Sequence, residues 1–191
     1  GTYMKYKYGT WIEKIPEIGY GTYTIEANSW EGGRRNCYKI PSSHPDQYYL
    51  VEYRNKENLF EKGLPSGGLL IYRIDTRFHG CQNHNGSDKL DEVYIFRPGG
   101  SYNQNGTINA AAFSKDFDKV IFNYETDPYP FLNRNDEDVV FNISDISEMG
   151  NQMTFTYRPI ETDLDPHNLK LNVNHKDRLV ELSWDEVEVA D

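Results

Sequence analysis

Two histidines and a cysteine lie close together at His79, Cys81 and His84, in a stretch rich in glycine and asparagine. Imidazole nitrogens and thiolate sulfurs are ligands that zinc prefers in proteins. A structural zinc site takes four such ligands, and the chain offers no second Cys/His pair with metal-ligand spacing to complete one. The favoured interpretation is a polar loop whose cysteine is free or disulfide-bonded, and a zinc site is the alternative.

Side chains that carry oxygen recur along a later segment, where calcium is the metal to consider. They are Asp127, Asn133, Asn135, Asp136 and Asp138. Carboxylate and amide oxygens are calcium ligands, but this spacing does not match an EF-hand loop. A solvated acidic loop is therefore the favoured interpretation, with calcium binding as the alternative.

Signatures of hydrolytic chemistry are missing from the sequence. Every histidine is followed by Pro, Gly, Asn or Lys, so no His-Glu-x-x-His zinc motif exists, and Gly-x-Ser-x-Gly and phosphate-loop motifs are absent as well. Cys37 and Cys81 lack the flanking residues of a cysteine protease. A bond between these two cysteines is the one intrachain disulfide that the sequence allows, and whether they are joined is left open. We therefore assign no catalytic residue to this chain.

Charge and length narrow the classes of function. The 191 residues carry 30 acidic and 20 basic side chains, a formal net charge of -10, which would repel a phosphate backbone. Nucleic acid is therefore a poor partner, and the short apolar runs predict no transmembrane helix. The chain begins with Gly and without a signal segment, which predicts a piece of a longer protein.

Apolar residues alternate with polar ones in many short runs, and glycine, asparagine and proline separate these runs. This pattern predicts an all-β, antiparallel, jelly-roll-like sandwich. The predicted strands span residues 3–8, 21–27, 37–40, 48–54, 69–75, 93–97, 120–124, 139–143 and 153–158. Short helical turns are expected at 55–62 and 110–117.

Two of these strands carry more specific expectations. Alternation along 48–54 places Glu52 and Arg54 on one face, where we expect them to pair with each other or with a neighbouring strand. The run Leu69, Leu70 and Ile71 is apolar on both faces and predicts a core strand covered on both sides.

Aromatic residues suggest a second use for this chain. Trp11, Tyr20, Tyr23 and Trp30 lie in or near turn-rich segments, where aromatic faces that stack on sugars or peptides are often displayed. Each is also an ordinary β-strand residue, and the core interpretation is favoured for any one of them.

The composition changes near residue 159. Residues 1–158 are predicted to form the sandwich and the acidic stretch 159–166 a linker. Residues 167–191 resemble the opening two strands of a fibronectin type III module, through Pro166, the leucines that follow and the Leu-x-Trp ending at Trp184.

An ordered series of short segments resembles secreted zinc metallopeptidases of the immune inhibitor A type. The series begins with QYYLVEYRNK at 47–56 and LPSGGLLIYRID at 64–75. It continues with RPGG at 97–100, NG at 105–106, AFS at 112–114, NISDIS at 142–147 and GNQMTF at 150–155.

The resemblance implies a β-rich accessory domain downstream of a catalytic domain that holds zinc through His-Glu-x-x-His. Because that motif is absent here, no catalytic or zinc-binding residue is carried over. The resemblance also implies secretion or a cell-surface location, and a partner in the upstream catalytic domain of the same polypeptide, with protein or glycan as the substrate. The alternative is a free-standing carbohydrate- or peptide-binding module or adhesin.

Overall fold

The computed structural model describes residues 1–27, 36–56, 61–78, 91–132 and 141–159, together with the backbone of 170–174 and 179–183. The chain divides into two compact units, Gly1–Pro159 and Ile160–Asp191. The first unit is built from antiparallel sheets with almost no helix, which confirms the prediction of an all-β sandwich.

The first unit begins with one short helix, α1, at Thr2–Lys7. Its described strands are β1 (Gly21–Glu26), β2 (Cys37–Pro41), β3 (Gln47–Arg54), β4 (Gly68–Asp75), β5 (Val93–Ile95), β6 (Gly100–Ser101), β7 (Gln104–Asn105), β8 (Asn142–Ser144) and β9 (Gln152–Arg158). Short 3-10 helices at Ile108–Ala110 and Lys115–Phe117 fall near the predicted helical turn at 110–117. The other predicted turn, at 55–62, lies partly outside the described residues.

Two main sheets make up the sandwich. The four-stranded sheet has the order β2-β3-β4-β5, and the three-stranded sheet has the order β1-β9-β8. In the first sheet β3 and β4 pair along their whole lengths, with Val51 opposite Ile71 and Glu52 opposite Leu70. The two strands therefore occupy the centre of the sheet, as the apolar run at 69–71 predicted for β4.

The core face of the four-stranded sheet is the one that packs against the three-stranded sheet. Tyr49, Val51 and Tyr53 of β3 alternate onto this face, together with Leu69 and Ile71 of β4. They meet Ile25, Ile143, Met153, Phe155 and Tyr157 of the opposite sheet. The resulting layer is aromatic-rich, with Tyr49 and Phe141 stacked at 4.1 Å between ring centroids.

The outer face of the same sheet has a smaller apolar layer. Leu50, Tyr72 and Ile74 form it with Tyr3 and Ile15, which belong to the N-terminal segment, here residues 2–15. Because this segment lies across the outer face, β4 is covered on both sides.

The predicted strand at 3–8 is wrong, because α1 occupies those residues. Alternating tyrosine and lysine gave the segment a strand-like period, but the helix brings Tyr3 and Lys7 onto one face, one turn apart. Both side chains bond Glu92, a contact from far along the chain that outweighs local β propensity.

The predicted strand at 120–124 is reduced to a single bridge between Phe122 and Ile143. Asn123 ends the extended stretch, because its side-chain oxygen accepts a hydrogen bond from the Glu125 amide at 2.9 Å and its own amide donates to Thr126 Oγ1 at 3.1 Å. Such local bonds compete with sheet pairing.

Leu70 also differs from expectation. Leu69 and Ile71 are fully buried, whereas Leu70 is only partly buried at the margin of the outer-face layer. The core role predicted for the three residues therefore holds for Leu69 and Ile71.

The second unit is described through its backbone alone. Strands β10 (Lys170–Asn174) and β11 (Leu179–Ser183) pair in antiparallel fashion. The linker at 159–166 and the fibronectin-like identity of 167–191 stay predictions.

Candidate functional site

Most residues predicted to hold a metal lie outside the described part of the chain. This applies to the zinc candidates His79, Cys81 and His84 and to the calcium candidates Asn133, Asn135, Asp136 and Asp138. Within the described ranges, no three His, Cys, Asp or Glu side chains are grouped so that they could hold a metal ion. Both metal sites stay predictions.

Asp127 is the one calcium candidate that the structure describes. Its carboxylate is exposed, and Oδ1 accepts a hydrogen bond from the Gly99 amide at 2.8 Å. This bond ties the Arg97–Gly100 turn to the segment before Pro128. The carboxylate of Asp127 therefore has a structural partner within the protein.

Cys37 begins β2 and faces the outer-face layer. Its thiol is free, and burial raises its pKa well above the ordinary value. A thiol held in its neutral form is a poor nucleophile at neutral pH. Its predicted disulfide partner, Cys81, lies outside the described residues.

Glu52 is the centre of a buried polar cluster on the outer face. One carboxylate oxygen accepts hydrogen bonds from the Thr2 amide at 2.9 Å and the Thr2 hydroxyl at 2.8 Å. The other accepts from the Tyr72 hydroxyl at 2.7 Å. Arg54 lies 3.7 Å away, so the predicted pairing of Glu52 with Arg54 is confirmed. Arg54 also binds the buried Glu61 at 2.7 Å.

A second buried carboxylate, Glu92, lies just before β5 and is 1% exposed. The Tyr3 hydroxyl donates to Oε1 at 2.5 Å and the Tyr8 hydroxyl to Oε2 at 2.7 Å, and the Lys7 ammonium also bonds Oε1. Burial and the bond to Glu92 raise the pKa of Tyr3 far above its ordinary value. Burial lowers the pKa of Lys7, but the bond to Glu92, the charge of Glu92 and the neighbouring Tyr8 together outweigh this effect, and the net shift is upward.

These two clusters attach the N-terminal segment to the sheet. Glu52 receives two bonds from Thr2, and Glu92 receives bonds from three side chains of residues 3–8. A buried carboxylate is tolerated when donors satisfy its oxygens, and each of these has them. The arrangement is suited to anchoring a segment, and its carboxylates are bonded internally.

A third polar group lies at one end of the core face. The fully buried Arg73 donates to the Asp91 carbonyl at 2.7 Å and to the Leu132 carbonyl at 3.3 Å. Gln47 bridges the Leu132 carbonyl, at 3.0 Å, and Asp75, at 2.8 Å. Asp91 follows the zinc-candidate stretch in sequence and Leu132 precedes most of the calcium candidates. Arg73 therefore binds two carbonyl groups, one that follows the zinc candidates in sequence and one that precedes most of the calcium candidates.

Asp75 is held in its charged form by this group. Arg77 binds both of its oxygens, with Nε at 2.9 Å from Oδ1 and Nη2 at 2.7 Å from Oδ2. Burial alone would raise the pKa of Asp75, but the bonds from Arg77 and Gln47 keep it below the ordinary value.

Large apolar side chains are exposed in two stretches of sequence among the described residues. The first stretch contributes Met4, Tyr6, Tyr8, Trp11 and Tyr20. The second contributes Ile108, Phe117, Val120, Ile121, Tyr124 and Tyr129. Exposed apolar side chains that cluster are typical of binding surfaces.

The aromatic residues suggested by the sequence fall into different environments. Trp11 is 78% exposed, and Tyr20 is exposed while stacking on Tyr157 at 4.8 Å. Tyr23 packs against the core and donates its hydroxyl to the Gly19 carbonyl, so it is a structural residue. Trp30 lies outside the described residues.

Sequence reasoning missed the anchoring role of Glu92. The available signal was the one-turn spacing of Tyr3 and Lys7, which places a phenol and an ammonium side by side only if the segment is helical. Nothing local to Glu92 in the sequence identifies it as their partner.

No helix among the described residues has the length and apolar character needed to cross a membrane. No protein-family model, curated protein or solved structure matches this chain.

Proposed function

We propose that residues 1–159 are a non-catalytic β-sandwich of a secreted zinc metallopeptidase and support its catalytic domain. The observation that carries the proposal concerns the charged residues in 47–56 and 64–75, the two segments with which the resemblance to the peptidase family begins. Their side chains bond to other residues of this domain. Glu52 and Asp75 are buried and Arg54 is half-buried, and all three side chains are engaged in internal bonds. A catalytic acid or base must reach a proton of the substrate. Because these three side chains already bond within the domain, they are suited to a structural role and not to catalysis.

The N-terminal segment is the proposed contact with the catalytic domain. The resemblance places that domain before this segment in the polypeptide. Met4 and Trp11 are exposed on the segment, while its other side is fixed to the sheet through Glu52 and Glu92. An anchored segment with exposed apolar side chains can hold a neighbouring domain in a fixed position.

The proposal leaves the peptidase zinc to the upstream domain, because this chain has no His-Glu-x-x-His. Its first test is the coding sequence upstream of Gly1. We expect a His-Glu-x-x-His motif there, and an upstream region without one would contradict the proposal.

The second test uses the whole parent polypeptide. Trp11→Ala should lower the temperature at which peptidase activity is lost, because it removes an apolar contact between the domains. Tyr124→Ala is the matched control, since Tyr124 is also highly exposed, at 58%, but lies far along the sequence. Equal effects of the two substitutions would contradict the proposed contact.

A free-standing glycan- or peptide-binding module is the second candidate function. The 78% exposure of Trp11 favours it, since an exposed indole face stacks on sugar rings. A glycan array probed with the wild-type chain and with Trp11→Ala tests this function. Binding that depends on Trp11, together with an upstream region that lacks the peptidase motif, would favour it over the accessory domain.

The metal candidates are proposed as secondary sites. Zinc at 79–84 or calcium at 127–138 would appear in metal analysis of the purified chain, and calcium would raise its melting temperature. Absence of both effects would remove these sites.

A further inference from the structure

The three-stranded sheet continues beyond β8 through the edge segment, residues 119–123. The Phe122 amide donates to the Ile143 carbonyl at 2.8 Å, and the Ile143 amide donates back at 3.0 Å. The Ile146 amide donates to the Val120 carbonyl at 3.2 Å. Among the described residues, the edge segment is therefore the outermost strand-like element on this side of the sheet.

The backbone groups of Ile121 point away from the sheet. In an antiparallel ladder alternate residues direct their amide and carbonyl to opposite sides, and here Val120 and Phe122 face β8. Within the described ranges, the Ile121 amide and carbonyl take part in no backbone hydrogen bond, and the residue is 40% exposed. The edge is open to pairing at this position.

Open edges are normally blocked by charged side chains, proline or bulges. The edge segment instead exposes apolar side chains, with Val120 at 37% and Ile121 at 40%, next to the exposed Phe117 and Tyr124. Lys119, the residue best placed to block the edge, turns inward. Its ammonium bonds the Ala110 carbonyl and lies 5.5 Å from the centre of the Phe113 ring.

Charge around the edge segment identifies the kind of partner. Asp118 and Glu125 flank it in sequence and are exposed, and Asp145 and Glu148 are exposed on the stretch that follows β8. Asp145 has a basic neighbour in Arg158, at 3.9 Å. A second copy of a chain with net charge -10 would bring like charges together, whereas a basic peptide would meet opposite charges.

We propose that the edge segment binds an extended peptide in which alternating apolar residues are flanked by lysine or arginine. The peptide adds as a further strand, pairs with the Ile121 amide and carbonyl, and places its basic ends near Asp118 and Glu125. This surface is separate from the N-terminal segment, so the inference does not depend on the proposed function.

The test uses a fluorescein-labelled Lys-Val-Thr-Val-Thr-Val-Lys peptide and the corresponding peptide with glutamate at both ends. Fluorescence anisotropy should show saturable binding of the basic peptide and at least about tenfold weaker binding of the acidic one. Amide hydrogen exchange at Ile121 should slow when the basic peptide is present.

Two variants probe the edge itself. Ile121→Pro removes the outward amide without touching a bond that the fold uses, and Ile121→Lys adds a charge that repels the peptide. Each should weaken binding by about tenfold, while Ile108→Lys, at a similarly exposed position elsewhere, should leave it unchanged. Circular dichroism verifies that the variants are folded.

Three results would overturn the inference. They are no binding of the basic peptide, equal binding by the wild type and folded Ile121→Lys, and exchange at Ile121 that the peptide does not slow. Equal binding of the acidic peptide would overturn the assignment of a basic partner.

Discussion

The two faces of the four-stranded sheet are covered in different ways. The core face packs a continuous layer of aromatic and aliphatic side chains against a second sheet. The outer face has fewer apolar side chains and is closed by the N-terminal segment, which two buried glutamates anchor. One face therefore depends on apolar area and the other on directed hydrogen bonds.

The difference predicts two modes of failure. Apolar packing is non-directional, so a lost methyl group on the core face weakens the whole unit through the cavity that it leaves. A lost acceptor on the outer face leaves specific donors without a partner, so the damage should begin in the attached segment. The predictions below measure both modes.

The largest effect is expected from Leu69→Ala on the core face. Leu69 is fully buried, so truncation should lower the free energy of unfolding by about 2–5 kcal/mol. Chemical denaturation monitored by tyrosine and tryptophan fluorescence measures the loss.

Leu70→Ala is the matched control, because Leu70 is the next residue on the opposite face and is only partly buried. Its cost should be about 1 kcal/mol. If both substitutions cost the same, the contrast between the faces does not hold at β4.

A smaller effect is expected from Glu92→Gln on the outer face. The amide keeps one acceptor but loses the charge that binds Lys7 and the two phenols, at a cost of about 1–3 kcal/mol. Hydrogen exchange should accelerate first at residues 2–8 and change much less in β3 and β4.

Glu17→Gln controls for the loss of a charge. Glu17 pairs with Lys39 at 2.9 Å at an exposed position, where ion pairs contribute little. Uniform acceleration of exchange across the first unit in Glu92→Gln would show that the segment and the sheet open together.

The smallest change in stability is expected at Asp75, which lies at the polar end of the core face. Its folded pKa lies below the unfolded value of about 4, so the charged carboxylate stabilises the fold above that pH. This contribution disappears as the pH falls through the lower folded pKa. Asp75→Asn should therefore be less stable than the wild type at neutral pH, and the difference should shrink in acid. The exposed Asp118→Asn provides the baseline, and a difference that grows in acid would reverse the assigned sign.

Alternation of apolar and polar residues was sufficient to locate the central strands. It placed Tyr49, Val51 and Tyr53 on one face and Glu52 and Arg54 on the other, because side-chain direction in a strand depends only on position. Turn residues supplied most of the boundaries.

Elements that depend on distant partners could not be predicted in the same way. The helix at 2–7 requires Glu92, and the shortness of the 120–124 strand follows from bonds made by Asn123. The buried role of Glu92 is likewise a property of the folded chain, since a single glutamate before a strand is ordinarily exposed.

The separation between α1 and its partner also sets an order of events during synthesis. Tyr3, Lys7 and Tyr8 leave the ribosome 89, 85 and 84 residues before Glu92. Throughout that interval these side chains lack the Glu92 carboxylate, and the sheet that they cover is incomplete. The part of the domain that is made first therefore cannot complete its docking until Glu92 has been made.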